Sequence, residues 1–321
     1  MNNDKVVIIT GANSGIGKEA TRKFAQEGYT VVMACRNMEI SKLVQQELMQ
    51  ETNNEQIKLM NVDMSSFQSI QQFCLQFKML YNKLDILIHN AAYFNHGEKY
   101  RLSTNNIELT FATNVFGPFL MTTLLKDHLK QSTDPRILHA SSNIVKHFFD
   151  SKKKIEFDKI VGNKIDKKNH SVYKMYCQSK MALVLLTFKM AEEYKADGIS
   201  IHALQINGAK MSKATLNKVT LKWRTIAYVQ NVFFPPPKKM ADLYYHICTL
   251  NESKMTTGQL FNDKGESMIP APKNPTFIDE VKQFSGSTYY PHYAASKENQ
   301  EKIWDLCAEI TKDYRAKEIL C

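Results

Sequence analysis

Short, almost wholly apolar runs alternate with stretches of helical spacing along the first two thirds of the chain, and no other feature restricts the fold so much. Val6-Val7-Ile8-Ile9 is the first such run. A strand buried on both faces reads this way, because neither face needs polar side chains. Helix formers follow from Gly15 to Glu27 and stop at Gly28. The same alternation predicts strands over 31–34, 57–62, 84–88, 136–140 and 199–206, and helices over 39–51, 69–81, 107–130 and 175–195. Strands separated by helices need crossover connections, and crossovers give a parallel sheet with helices on both faces. The expected architecture is α/β, a doubly wound parallel sheet in a single domain.

Two segments break the rhythm. Residues 142–173 are polar and Lys-rich, and residues 210–251 are mixed, with Pro235-Pro236-Pro237 expected to interrupt any helix there. Both follow C-terminal ends of predicted strands, the edge at which doubly wound sheets bind ligands. They are expected to form the pocket wall and a substrate lid. A last helix over 297–312 should pack inward through Ile303, Trp304, Leu306 and Ile310. No Gly-, Ser- or Pro-rich linker divides the 321 residues. The single domain reads as a cofactor half over about 1–142, a catalytic and substrate half over about 143–270 and a C-terminal extension over about 271–321.

Composition excludes several classes. Hydrophobic residues make up 43 %, too many for a disordered chain. The net charge of +10 invites a nucleic-acid reading, but the densest clusters, Lys152-Lys153-Lys154 and Lys167-Lys168, lie in a segment without apolar periodicity. They read as a solvated surface insert, and no nucleic-acid partner is expected. The positive field still favours a polyanionic cofactor. The six cysteines form no Cys-x-x-Cys pair, and the nine histidines form no pair at i and i+4. No metal site is expected, and the thiols read as reduced. His89 and His139 read as packing residues at strand ends. No charged-then-apolar leader and no membrane-length apolar run stand out, so a cytoplasmic location is expected.

Two motifs carry chemistry. Thr10-Gly11-Ala12-Asn13-Ser14-Gly15-Ile16-Gly17 follows the first strand and opens a helix. Glycine lets the backbone turn tightly and approach a pyrophosphate, and the helix N-terminus offers free N–H groups to the phosphates. Tyr176 and Lys180 stand at i and i+4, on one face of a helix. A nearby ammonium is expected to lower the phenol's pKa and make it a usable acid or base.

In this order, with the pieces between them, the motifs resemble the short-chain dehydrogenase/reductase family. His89-Asn90-Ala91-Ala92 stands where the family shows Asn-Asn-Ala-Gly, Asn114 at the place of its catalytic Asn, and Ser142 at that of its catalytic Ser. Asp63 matches the Asp that contacts the adenine edge. The resemblance runs from about Val6 to about Phe261. It is strongest to the retinol dehydrogenase-like branch, including the catalytic part of WW-domain-containing oxidoreductases. Ala34-Cys35-Arg36-Asn37-Met38, the long gap from Ser142 to Tyr176, Gly258-Gln259-Leu260-Phe261 and the Trp304-x-Leu306 helix carry that likeness.

The resemblance implies a Rossmann-type fold and hydride transfer between a nicotinamide and a carbonyl/alcohol pair. It implies that Tyr176 exchanges the proton and that Lys180 lowers its pKa and binds the nicotinamide ribose. Ser142 would hold the substrate oxygen, and Asn114 would position a water in a proton relay. The implied cofactor residues are Gly11, Asn13, Ser14, Gly15, Ile16 and Gly17 of the turn, with Arg36, Asp63, Asn90, Ala91, Lys180, Asn207, Gly208 and Ser212.

The second predicted strand ends without the acidic residue that would bind an NAD ribose, and Arg36 can pair with a 2′-phosphate, with Lys18 adding charge. NADP(H) is therefore the expected cofactor. Asn207-Gly208 replaces the family's Pro-Gly, which alters the stiffness of that loop. Phe148, Phe149, Met211, Leu216, Trp223, Tyr228, Val232, Phe233 and Phe234 suggest a bulky apolar substrate, such as a retinoid, steroid or lipid aldehyde. Lys210 and Lys213 leave a carboxylate partner open. A homodimer is compatible with the sequence. The alternative function is a non-catalytic NADP(H)-binding sensor or interaction protein on the same fold.

Overall fold

The computed structural model describes residues 4–94, 100–161, 171–210, 216, 224, 228, 231–232, 234–250, 256–273, 275–276, 279, 283, 286 and 288–316. Strands β1 (Val6–Thr10), β2 (Thr30–Cys35), β3 (Ile57–Asn61), β4 (Ile86–His89), β5 (Arg136–Ser142), β6 (Ser200–Ile206) and β7 (Gln259–Phe261) form one sheet in the order β3-β2-β1-β4-β5-β6-β7. Every neighbouring pair is parallel. All five residues of β1 are buried, as its unbroken apolar run requires. The strand order reverses between β1 and β4, and the C-terminal ends at that switch point are where such sheets bind ligands.

Helices cover both faces. The first apolar layer joins one sheet face to α1 (Gly15–Gln26), α2 (Met38–Thr52) and α7 (Pro237–Thr249). The second joins the other face to α3 (Phe67–Leu80), α5 (Gly117–Lys130) and α6 (Val172–Glu193). Asn37, Ser66 and Ser171 start α2, α3 and α6, each accepting a hydrogen bond from a main-chain N–H three residues on.

The proline run stands between helical residues 231–232 and α7, as expected, with Pro237 at the first helical position of α7, where the missing N–H has no intrahelical partner to lose. Two expectations change. The helix expected over 107–130 is not regular: α4 (Leu109–Phe111) passes through a π turn, Ala112–Phe116, into α5. Gly117 sits so close to the main chain at Met64 that a Cβ there would lie 2.3 Å from the Met64 carbonyl oxygen.

The segment after Ser142 is the second. It is anchored more firmly than its polar composition suggests. Two 3₁₀ turns, Asn143–Phe149 and Phe157–Lys159, sink Val145, Phe148, Ile155 and Ile160 into the core. The C-terminal part covers them. Beyond the two-stranded pair β8 (Ile269–Pro270) and β9 (Tyr289–Tyr290), α8 (His292–Ala295) and α9 (Lys297–Ala316) lie against this region and α6. Phe148 packs on Tyr293, and the Ile155 N–H donates to the Tyr293 hydroxyl. Ile303, Trp304, Leu306 and Ile310 face the core as expected. Among the described residues no helix is long and apolar enough to cross a membrane.

Candidate active site

The glycine turn between β1 and α1 is held from behind. Gly11 and Gly15 adopt φ of 66° and 53°, a region that favours glycine. A Cβ on Gly17 would lie 2.3 Å from the Gly11 carbonyl oxygen and 2.6 Å from the Asn90 amide nitrogen. Asn90 is the hub. Its Nδ2 donates to the carbonyls of Thr10 (2.9 Å) and Gly11 (3.3 Å), and its main-chain N–H donates to the Thr10 hydroxyl at 3.0 Å. The Ala91 N–H donates to the same hydroxyl. Ser14 occupies the N-cap position of α1 without a capping hydrogen bond. The helix therefore presents main-chain donors to whatever lies over the turn, a cradle suited to a pyrophosphate. Asn13 is tied back to Ser41 at 2.9 Å, and Ile16 packs on the core below.

At the far side of the turn, Arg36 is largely exposed and 3.8 Å from the Asp63 carboxylate. Asp63 is fixed by Ser65, whose N–H and hydroxyl both donate to it. Lys18, expected to add positive charge here, is instead paired with Glu47 at 2.6 Å. Arg36 is thus the cation the structure offers beside the end of β2.

The four residues expected to be catalytic converge at the ends of β4, β5 and α6. The Ser142 hydroxyl faces Tyr176 and pulls on its phenol. Lys180, one turn along α6, is buried, donates to the Ala140 carbonyl at 2.6 Å and lies 5.8 Å from the centre of the Tyr176 ring. Burial dominates both acids: it pushes the phenol up to about 12 against the pull of the Ser142 hydroxyl, and the Lys180 ammonium down to about 8. Desolvation sets the direction for the phenol, and the Lys180 ammonium spends its own hydrogen bond on the main chain.

Asn114 sits in the π turn with its side chain committed. Its Oδ1 accepts from the Tyr93 N–H (2.7 Å), while Nδ2 reaches the Tyr93 carbonyl and the Ser179 hydroxyl, both at 3.1 Å. It clasps the strand that leaves β4 to the helix that carries Tyr176. Extra residues in single π turns recur at functional sites.

Asn207 and Gly208 follow β6 at the same edge. The Phe234 ring lies against Gly208, and the Lys210 N–H donates to the Pro235 carbonyl at 2.9 Å, closing the neck of the segment between them. Ser212, Met211, Lys213, Trp223 and Phe233 lie outside the described residues. Phe148 does not line a pocket, because it is buried in the core. Tyr228 and Val232 are exposed, and Leu216 is buried. Sequence reasoning missed Phe94, whose ring stacks on Tyr176 with centres 4.4 Å apart while staying 42 % exposed. It also missed Tyr244 of α7, whose hydroxyl donates to Asn90 at 3.1 Å. His89 and His139 are buried, each bonded to a threonine, Thr122 and Thr187.

A parallel sheet with a glycine turn at its switch point, beside half-buried Ser142 and Tyr176 and buried Lys180, places the molecule among the dinucleotide-binding α/β proteins. The short chain dehydrogenase family model matches residues 5–151. Mouse (Mus musculus) retinol dehydrogenase 12 is 32 % identical over 308 residues, covering 95 % of this chain and 86 % of that protein. The WW domain-containing oxidoreductase of Gallus gallus is 33 % identical, over 62 % of this chain and 48 % of its own length. Among solved structures, a short chain dehydrogenase from Shigella flexneri complexed with NADP superposes with a TM-score of 0.62 at 21 % identity, over 82 % of this chain and 98 % of that one. The chain belongs to the short-chain dehydrogenase/reductase family, in its retinol dehydrogenase-like branch. It is an oxidoreductase fold of the kind that uses a nicotinamide cofactor.

Proposed function

We propose that the protein is an NADP(H)-dependent oxidoreductase that interconverts a carbonyl and an alcohol on a bulky apolar substrate. The observation that carries this is the convergence of Ser142 at the end of β5 with Tyr176 and buried Lys180 on one turn of α6, at the edge that also carries the glycine turn. The residues fit a dinucleotide. A side chain on Gly17 would fill the cradle, and the first turn of α1 has donors to spare.

When bound, the nicotinamide supplies or takes the hydride. The residues handle the oxygen. Reduction builds negative charge on the carbonyl oxygen, and two preorganised hydroxyls lower the energy of that charge. Tyr176, held protonated by burial, gives its proton to the oxygen as the alcohol forms, while Ser142 donates to the same oxygen. Lys180 is placed to bind the cofactor ribose and to offset the phenolate that remains. Asn114 holds the Tyr93 strand against α6 with its side chain, so a relay through it would use its main-chain carbonyl. Asn207 and Gly208, which follow β6 at the same edge, would line the nicotinamide's side of the site. Phe94 gives the site an exposed aromatic face next to the reacting hydroxyl, which supports an apolar substrate.

The NADP preference rests on Arg36. A 2′-phosphate gains charge-assisted hydrogen bonds from a guanidinium, and Asp63 nearby would repel it without that arginine. NADPH should bind roughly ten to a hundred times more tightly than NADH, a gap of about 1.4–3 kcal/mol that one charged contact can supply. Arg36→Asp should remove or invert the gap. Fluorescence titration with both cofactors measures it, and tighter binding of NADH to the unaltered protein would refute the assignment. The Shigella flexneri relative, complexed with NADP, supports the same reading.

A further inference from the structure

We infer that Tyr244, a buried residue of α7 far along the sequence from the glycine turn, is a positioning residue for dinucleotide binding that acts through Asn90. The inference rests on the reading of the glycine turn as the pyrophosphate site.

Asn90 makes its hydrogen bonds in one orientation only. Its Nδ2 donates to two main-chain carbonyls, those of Thr10 and Gly11. Were the amide to turn over, its oxygen would face both carbonyl oxygens, an arrangement with no hydrogen to share. The two carbonyls select this orientation, and the group on the other side anchors the amide in place. Oδ1 accepts from the Tyr244 hydroxyl at 3.1 Å, and a hydroxyl can donate there. Tyr244 is fully buried and Asn90 half-buried, so the hydroxyl reaches the amide from the core side. The Asn90 amide nitrogen in turn lies 2.6 Å from where a Cβ of Gly17 would be, and so it defines the depth of the cradle. Tyr244 thereby fixes Asn90, and Asn90 fixes the carbonyls that shape the turn.

The route also runs in the other direction. α7 begins directly after the neck formed by the Lys210–Pro235 hydrogen bond and the Phe234–Gly208 contact. It packs along α1, the helix that the turn opens. The loop beside Asn207 and the phosphate turn are thus braced by the same helix, and the Tyr244–Asn90 bond is where that helix meets the turn.

Tyr244→Phe keeps the ring in the core and leaves Asn90 Oδ1 without its donor. An acceptor left unpaired against a buried side chain is costly, and the amide loses the anchor on its oxygen side. Tyr245→Phe is the control. Tyr245 is the next residue on α7, its hydroxyl donates to Glu27, and it packs on Phe24 and Tyr29 away from Asn90. The experiment measures dissociation constants for NADPH and for 2′-phospho-ADP-ribose, which lacks the nicotinamide, alongside thermal unfolding of each variant. Tyr244→Phe is expected to weaken both ligands by about tenfold. Tyr245→Phe should leave both affinities unchanged. The single-turnover hydride rate at saturating NADPH should be unaltered in Tyr244→Phe, because the bond acts on binding and not on the reacting atoms. Unchanged affinity in Tyr244→Phe, or an equal loss in Tyr245→Phe, overturns the inference. Gly17→Val separates this from the reading beneath it. If that variant still binds NADPH as the parent does, the glycine turn is not the phosphate site and both fall. If it loses binding while Tyr244→Phe does not, only the role of Tyr244 falls.

Discussion

Tyr176→Phe will lose roughly 100- to 10,000-fold in turnover, the range removed with a positioned general acid, while NADPH affinity stays within about twofold of the parent. The change deletes one oxygen. The ring keeps its stacking on Phe94 and its place on α6. Ser142 keeps a second, weaker partner in the Ile144 N–H at 3.4 Å. The lost group is the one that must give a proton to the substrate oxygen, and Tyr176 stands one helical turn from Lys180. Steady-state kinetics on a confirmed substrate, with cofactor binding measured separately, makes the check. A variant with near-normal turnover would remove Tyr176 from the mechanism. Ser142→Ala should be costly as well, and the double variant should be little worse than Tyr176→Phe alone, because the two hydroxyls act on one oxygen.

The second large effect is on stability in acid. His89, His139 and His202 are buried and neutral in the fold. Desolvation holds His89 well below the ordinary histidine value, His139 down to about 3 and His202 to about 4. The unfolded chain takes up these protons near pH 6.5. Below that pH the unfolded state binds more protons than the native one, so stability rises with pH in this window and is lost as pH falls. The loss continues until the folded-state values are reached. Each group contributes at most about 1.4 kcal/mol per pH unit in the window. Three together reach on the order of 4 kcal/mol per unit, against a total stability of roughly 5–15 kcal/mol for a typical domain. Glu108, pushed up by burial, works in the opposite sense, but it is one group against three.

His139 also shows why the proton is unwelcome. The Thr187 hydroxyl spends its hydrogen on the Leu183 carbonyl, so it must accept from His139 Nδ1. A second proton would land on Nε2, which is buried with no protein partner. The melting temperature should fall steeply between pH 6.5 and 4.5, and a flat profile across that range would contradict the account.

Much of the site was legible because its signals are local. The turn from Thr10 to Gly17 is one continuous run, and Tyr176 and Lys180 are fixed relative to each other by helix geometry alone. The alternation of apolar runs gave six of the seven sheet strands, but not the three-residue β7, which is too short for a periodic signal. What escaped depends on contacts between distant segments. The direction of the Tyr176 shift follows from burial, which spacing along a helix does not report. The Tyr244–Asn90 bond spans 154 residues. Phe148 looked like pocket wall from its place after Ser142, yet it is held in the core by Tyr293 from the C-terminal part. The π turn around Asn114 leaves no mark in a pattern searched at 3.6 residues per turn.

The most direct measurement follows the hydride itself. The protein is given NADPH deuterated on the transferring position of the nicotinamide, with a series of aldehydes and ketones of rising apolar bulk, and the alcohols are weighed by mass spectrometry. The account predicts one deuterium on the former carbonyl carbon, in greatest yield for the larger apolar members of the series. Tight NADPH binding with no deuterium in any alcohol would contradict it.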